Sequence, residues 1–458
     1  MSGPRHNPPP WLTGRSLYQV HALRASGAPD ANPDVHAGAP CGDGLRRLIP
    51  WLEHVAGLGC GGLLLTPVAV SATHGYDTVD PLRLDQRLGD EAAFDDLVEA
   101  CRRHGLRLVL DGVFNHVGRA FPPFADVLAN GAASPYADWF RLDFSAGGPD
   151  GFSYRDFEGH RELVALNHRS PAVLDWAVEV ACHWLDRGAD GWRLDVAYAV
   201  PRPFWHDFAA RVLARHPDAW LFGEMIHGDY AGFVDEGGLH SVTQYELHKA
   251  VWSSLNDRNL FELAWALDRH RGFAEVFRPV TFVGNHDVTR IASNLKDPDH
   301  LGPAVGLLFT LPGTPCVYYG DELGATGTKG EGAGADSALR PALDELPDPA
   351  SLADPASPAG GGPGAAATLD LYRSLVDFRR RRPWLDDGAL TVSDLANEHI
   401  RIQVEADGGG PAALLVVHLA DGPSAPVDAG AGWHFVLGRP PGEDGTVTGP
   451  GWALFERQ

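Results

Sequence analysis

The strongest constraint on the fold of this chain is a rhythm in which short β-rich runs alternate with helical patterns eight times. The runs are RSLYQVHAL (15–23), CGGLLLTPV (60–68), LRLVLDGVFNH (106–116), GWRLDVA (191–197), AWLFGEM (219–225), HSVTQY (240–245), PVTFVGNHD (279–287) and TPCVYYGDE (314–322). Between them lie apolar stripes at 3.6-residue spacing, such as Phe94, Leu97, Val98 and Cys101, or Leu174, Ala177, Val178, Ala181, Trp184 and Leu185. The second stripe begins with Ser170 placed to cap and Pro171 in the first helical turn. Parallel strands need crossover helices, so the pattern predicts an α/β fold, a (β/α)8 TIM barrel. An open doubly wound sheet is the alternative, but no glycine-rich phosphate loop follows the opening strand to support it.

Two stretches break the rhythm. Residues 117–168 are too long for an ordinary loop after a third strand and hold several aromatics and prolines, so they predict an inserted subdomain. The segment 325–366 is rich in Gly, Ala, Pro and Asp, and its part from about 347 to 366 reads as flexible. A helix at 367–382 closes the barrel. From 388 the pattern turns to alternating short strands, which predicts a C-terminal all-β sandwich. The expected division is a barrel over 1–116 and 169–387, a subdomain over 117–168 and a β domain over 388–458.

Bulk properties narrow the partners. With 44% hydrophobic residues, 13 Trp and 20 Phe, the 458-residue chain can bury a large core. A formal net charge of −23, from 37 Lys and Arg against 60 Asp and Glu, argues against a nucleic-acid or anionic-membrane partner. No apolar run has signal-peptide or membrane-spanning length, so the expectation is a soluble cytoplasmic protein. Cys41, Cys60, Cys101, Cys182 and Cys316 are odd in number and scattered, which fits reduced thiols better than a disulfide framework or a C-x-x-C metal site.

The polar residues gather where such a barrel puts its active site, at the C-terminal ends of the strands. Asp111, Asn115 and His116 end the third run, Arg193 and Asp195 the fourth, Glu224 the fifth, Asn285, His286 and Asp287 the seventh, Asp321 and Glu322 the eighth. Within DGWRLDVA, Arg193 and Asp195 are two apart and share one strand face, while Trp192, Leu194 and Val196 share the other. Such a buried pair either neutralises itself or lines a wet cavity.

Carboxylates with histidines and an arginine, but no cysteine cluster and no H-x-x-x-H helix, suit acid, base and nucleophile work better than zinc. Glycoside hydrolysis needs one ionised and one protonated carboxyl group. Arg193 would hold Asp195 ionised as the nucleophile. Glu224, after the apolar WLFG, would be desolvated into the proton donor. Asp287 is left to stabilise the cationic sugar ring or bind its hydroxyls. A rim salt bridge is the alternative for Glu224, and core or loop hydrogen bonding for His116 and His286.

The segments DGVFNH (111–116), GWRLDVA (191–197), GEMIHG (223–228) and VGNHD (283–287) resemble, in order and spacing, the four motifs of the α-amylase family of glycoside hydrolases, family 13. LVALN (163–167) and GTPCVYYGDELG (313–324) are similar to two further family segments, so the resemblance covers nearly the whole chain. It implies Asp195 as nucleophile, Glu224 as acid/base and Asp287 as transition-state stabiliser on an α-glucan or α-glucoside substrate. Arg193, His116 and His286 would contact the sugar, Tyr76 in HGYD would be its aromatic platform unless it is ordinary loop packing, and Asp111 would pair with Arg193. No cofactor is required. A structural calcium ion occurs in many relatives, with Asn115 at a ligand position; a hydrogen-bonding strap is the other role open to it. GWRLDVAYAVPRPFWHDF is similar to the cyclomaltodextrinase and neopullulanase group, whose extra N-terminal domain has no room before a first strand near residue 15, and SALRPAL looks like a loosened form of the arginine-rich segment after the eighth strand. Retaining hydrolysis of maltooligosaccharides is the expectation. A transglycosylase or isomerase would use the same carboxylates, and a non-catalytic carbohydrate-binding relative would have lost one of them.

Overall fold

A computed structural model of the chain describes residues 6–36, 42–332, 334–352, 364–427 and 432–458. Eight parallel strands fall inside the eight sequence runs: β1 (Leu17–Val20), β2 (Gly62–Leu65), β3 (Arg107–Gly112), β4 (Gly191–Leu194), β5 (Trp220–Gly223), β6 (Ser241–Val242), β7 (Val280–Phe282) and β8 (Thr314–Tyr318). Each pairs with its successor from β1 to β6, β7 pairs with β8, and β8 returns to β1. A parallel bridge from Thr243 to Val280 joins the end of β6 to β7 and completes the barrel.

Side-chain alternation divides the barrel's strands into two faces. Leu17, Leu64, Val109, Trp220, Phe222, Val280, Phe282 and Cys316 form a small apolar cluster of their own, the barrel interior. Tyr18, Leu63, Leu65, Leu108, Leu110, Trp192, Leu194 and Leu221 face outward into the large core shared with the helices. Two residues further along the interior face the chemistry changes: Leu17 gives way to Gln19, Leu64 to Thr66, Val109 to Asp111 and Phe222 to Glu224. The interior is therefore plugged with apolar groups below and polar above.

The helical stripes lie where their periodicity puts them, in Glu91–Arg103 and Pro171–Asp186. Ser170 does occupy the N-cap of the second, but its side chain makes no capping bond; its carbonyl accepts from the Val173 N–H instead. The closing helix runs Ala365–Arg380. Of the segment expected to be flexible, Pro349–Leu352 forms one helical turn and 353–363 lie outside the described residues. Cys60, Cys101, Cys182 and Cys316 are buried free thiols, and Cys41 lies outside the described residues.

After β3, a three-stranded antiparallel sheet of His116–Gly118, His160–Ala165 and Asp156–Phe157 stands beside the helix Pro122–Asn130. The C-terminal all-β region has five antiparallel strands, β9 (Ala389–Ala396), β10 (His399–Glu405), β11 (Ala412–Pro423), β12 (His434–Gly438) and β13 (Thr448–Arg457), in one sheet of order β9-β10-β11-β13-β12. One face gives Ile400, Ile402, Leu415, Val417 and Leu454 to the core shared with the barrel. The other buries Leu414, Val416 and Phe455 with Val427 and Val447. The seam is tight: a Cβ at Gly302, on the helix Leu301–Thr310, would stand 2.2 Å from the Trp452 indole nitrogen. Only glycine fits there.

Candidate active site

A cavity of about 800 Å³ opens at the C-terminal ends of the strands, and Asp195, Glu224 and Asp287 all border it. Asp195 and Glu224 each extend a strand ladder by one residue, their N–H groups donating to Gly112 O at 2.9 Å and Leu194 O at 2.8 Å. Both side chains are buried. Asp287 is half-buried and rests on a turn in which the Asn285 Oδ1 accepts from its N–H at 2.9 Å. That turn starts at Gly284, where a Cβ would lie 2.3 Å from the Asp321 carboxylate, so the chain can pass only without a side chain.

Arg193 organises three acids. Its Nη1 reaches both Asp111 oxygens at 2.7 and 2.6 Å and Asp195 Oδ1 at 3.1 Å, and its Nη2 reaches Glu224 Oε1 at 2.8 Å. The β3–β4 register sets Asp111 directly beside it. The expectation that Arg193 would hold Asp195 ionised needs correction. Burial pushes the Asp195 carboxyl well above its ordinary range; Arg193 pulls down, and Glu224, Asp111 and Asp287 push up again. One guanidinium divided among three carboxylates does not outweigh the loss of water. Burial likewise raises Asp111 to about 6 in spite of Arg193.

Glu224 has two further donors. The Tyr245 hydroxyl donates to Oε1 at 2.9 Å and the Val196 N–H to Oε2 at 3.0 Å. Val196 holds φ 48° and ψ 37°, a left-handed conformation costly for a β-branched residue. It therefore leaves the face of Trp192 and Leu194 assigned by strand alternation and borders the cavity.

Tyr76 and His116 also border the cavity, whereas Arg193, Asp111 and His286 sit one layer behind its wall. The Tyr76 ring lies parallel to His286 at 5.6 Å, and its hydroxyl donates to Asp111 Oδ2 at 3.0 Å. Gln19 Nε2 lies 3.1 Å from His286 Nδ1, which makes Nδ1 the acceptor and leaves the Nε2–H between the Tyr76 hydroxyl oxygen at 2.5 Å and Asp287 Oδ2 at 3.1 Å. Burial and Arg193 keep His286 neutral. His116 stacks on Phe157 of the inserted subdomain at 5.0 Å, and burial lowers its pKa to about 3, so it too is neutral.

Asn115 makes the contact of a hydrogen-bonding strap. Its amide nitrogen lies 3.1 Å from His116 Nδ1 and braces that ring. Among the described residues no group of three or more His, Cys, Asp or Glu could hold a metal ion.

Strand-end reading missed the groups that come from loops. Tyr198, Ile226 and Tyr245 border the cavity, and Glu158 reaches it from a turn after Phe157. Arg340, from the loop after β8, donates Nε to His286 O at 2.9 Å and Nη2 to Asp287 Oδ1 at 3.1 Å. Lys329 donates to Asp287 O at 2.8 Å. Tyr245, last residue of the sixth run, carried a positional signal, and Arg340 lies in the SALRPAL segment that resembles a family segment. The two acids ending the eighth run go elsewhere: Asp321 pairs with Arg290 at 2.6 Å, and Glu322 accepts from Tyr18 at 2.7 Å and contacts His54 at 2.8 Å.

A closed (β/α)8 barrel, with Asp195, Glu224 and Asp287 around its mouth, is followed by an all-β C-terminal region. A family model of the alpha-amylase catalytic domain matches residues 29–356, and the chain belongs to that family. It is 33% identical to a cyclomaltodextrinase of a Bacillus species over 70% of this chain and 61% of that protein. It is 32% identical to neopullulanase 2 of Thermoactinomyces vulgaris over 70% of this chain and 58% of that protein. The chain thus spans about three fifths of the length of these relatives. Among solved structures, it is similar to the cyclic alpha-maltosyl-(1→6)-maltose hydrolase of Arthrobacter globiformis, with a TM-score of 0.78 and 28% identity over 98% of this chain and 99% of that one.

Proposed function

We propose that this chain hydrolyses α-glucosidic bonds of maltooligosaccharides or related linear or cyclic α-glucans, with retention of configuration. The observation that carries the reading is that Asp195, Glu224 and Asp287 border one cavity in a chain of the alpha-amylase family.

In this reading Asp195 attacks the anomeric carbon and forms a glycosyl ester while Glu224 protonates the departing glycosidic oxygen. Glu224, now a carboxylate, takes a proton from the water that cleaves the ester and releases Asp195. Asp287 binds hydroxyls of the donor sugar and stabilises its developing positive charge. Tyr76 offers the ring that sugar stacks on. Arg193 keeps Asp195 and Glu224 in place and lowers the cost of ionising Asp195. No step requires a metal or cofactor.

The test is product analysis on maltotriose, cyclomaltodextrin and cyclic alpha-maltosyl-(1→6)-maltose. Glucose and maltose from maltotriose support hydrolysis. Longer or rearranged oligosaccharides would instead make the chain a transglycosylase or isomerase.

A further inference from the structure

Among the groups that border the cavity, His21 stands out because nothing in the chemistry above uses it. It follows β1 on the interior face, two residues past Gln19, and its side chain is 99% buried, with a relative exposure of 1%. The ring lies edge-on to His286 with centroids 6.2 Å apart, on the Asp287 side of the cavity. Its Nδ1 accepts from the Arg24 N–H at 3.3 Å, capping the short turn Ala22–Ala25. That bond assigns the ring proton to Nε2. Nε2 is buried and has no hydrogen-bond partner among the described residues.

Burial, Arg340, His286 and Arg24 hold the ring neutral, so Nε2–H is an ordinary donor, not a cation. A buried donor without an acceptor costs about 1–3 kcal/mol, and this one belongs to a residue that borders the cavity. We propose that His21 is a substrate-binding residue whose Nε2–H is completed by a hydroxyl of the sugar on the donor side of the cleaved bond. This rests on the α-glucan reading of the same cavity. A sugar hydroxyl is the fitting acceptor: it is neutral, like the imidazole, and it arrives on the side where Asp287 and Tyr76 would receive the donor ring.

The competing role is the turn cap alone, and three substitutions separate the two. An asparagine amide ends where the Nδ1 of histidine lies, so His21→Asn keeps the cap and loses the reach. A glutamine amide ends near Nε2, so His21→Gln keeps the reach and weakens the cap. His21→Phe removes both. With maltotriose, His21→Phe and His21→Asn are expected to raise KM about three- to tenfold, the range of one neutral hydrogen bond, with kcat within about twofold. His21→Gln is expected to restore KM to within about twofold of the parent. Restoration by Asn and not by Gln, or a KM unmoved in all three folded variants, overturns the inference. No turnover of maltotriose by the parent chain would defeat the functional reading itself, and this inference with it.

Discussion

The Val196 N–H donates to the Glu224 carboxylate at 3.0 Å from a residue held at φ 48°, so the turn that follows Asp195 also anchors the second acid. The strain has an evident use: a relaxed strand would send this N–H along the β-ladder. Val196→Gly keeps the donor and relieves a conformation that costs about 1–3 kcal/mol, while losing roughly 1.5–3 kcal/mol of side-chain burial. The two effects nearly offset. Thermal melting should therefore move by only a few degrees, with kcat within about threefold of the parent, where an ordinary buried Val→Gly change melts far earlier.

The acid limb of the kcat/KM profile should lie above the ordinary aspartate range of about 4, because burial raises Asp195 and the nucleophile must be ionised. Activity then falls as pH drops through that raised value. Removing the Arg193 charge takes away the leading influence that lowers it, so Arg193→Met should move the acid limb to higher pH by about one unit or more. Arg193→Lys, which keeps the charge, should move it less. An unshifted limb in an active Arg193→Met variant would show that Asp195 does not govern that limb.

Tyr245 couples two strand ends, donating to Glu224 Oε1 at 2.9 Å and accepting from Asn285 Nδ2 at 2.8 Å. Tyr245→Phe breaks both bonds without changing the ring. We expect kcat to fall about tenfold, the upper range of one hydrogen bond, with KM for maltotriose little changed. Steady-state kinetics of the purified variant checks this.

The bracing of His116 by Asn115 is a strap role that needs no metal, and we expect indifference to chelators. Incubation with EDTA should leave the melting temperature and the maltotriose rate unchanged. A fall of several degrees, reversed by calcium, would show a structural metal and overturn this expectation.

Period-two and period-3.6 patterns made the barrel, its eight strands and the polar mouth legible, because alternation fixes which residues share a face as long as the strand lasts. Arg193 beside Asp195 is such a case. Beyond the last strand residue the rule lapses. Val196 turns left-handed and joins the cavity wall. Arg193 reaches Glu224 on the next strand, a contact set by β4–β5 pairing that no single run displays. Glu158, Lys329 and Arg340 come from loops without periodicity, so only the folded chain brings them to the acids. Ser170 shows the reverse: a capping residue in the right place whose side chain is not used.

The central claim, that Asp195 is the nucleophile of a retaining α-glucosidase, is tested most directly by trapping the ester. Incubation with 5-fluoro-α-D-glucosyl fluoride, digestion and peptide mass spectrometry should find a single fluorohexosyl adduct on Asp195. Asp195→Asn should take up none, with its fold preserved. An adduct on Glu224 or Asp287, or none at all from an enzyme whose maltotriose products have inverted configuration, would contradict the account.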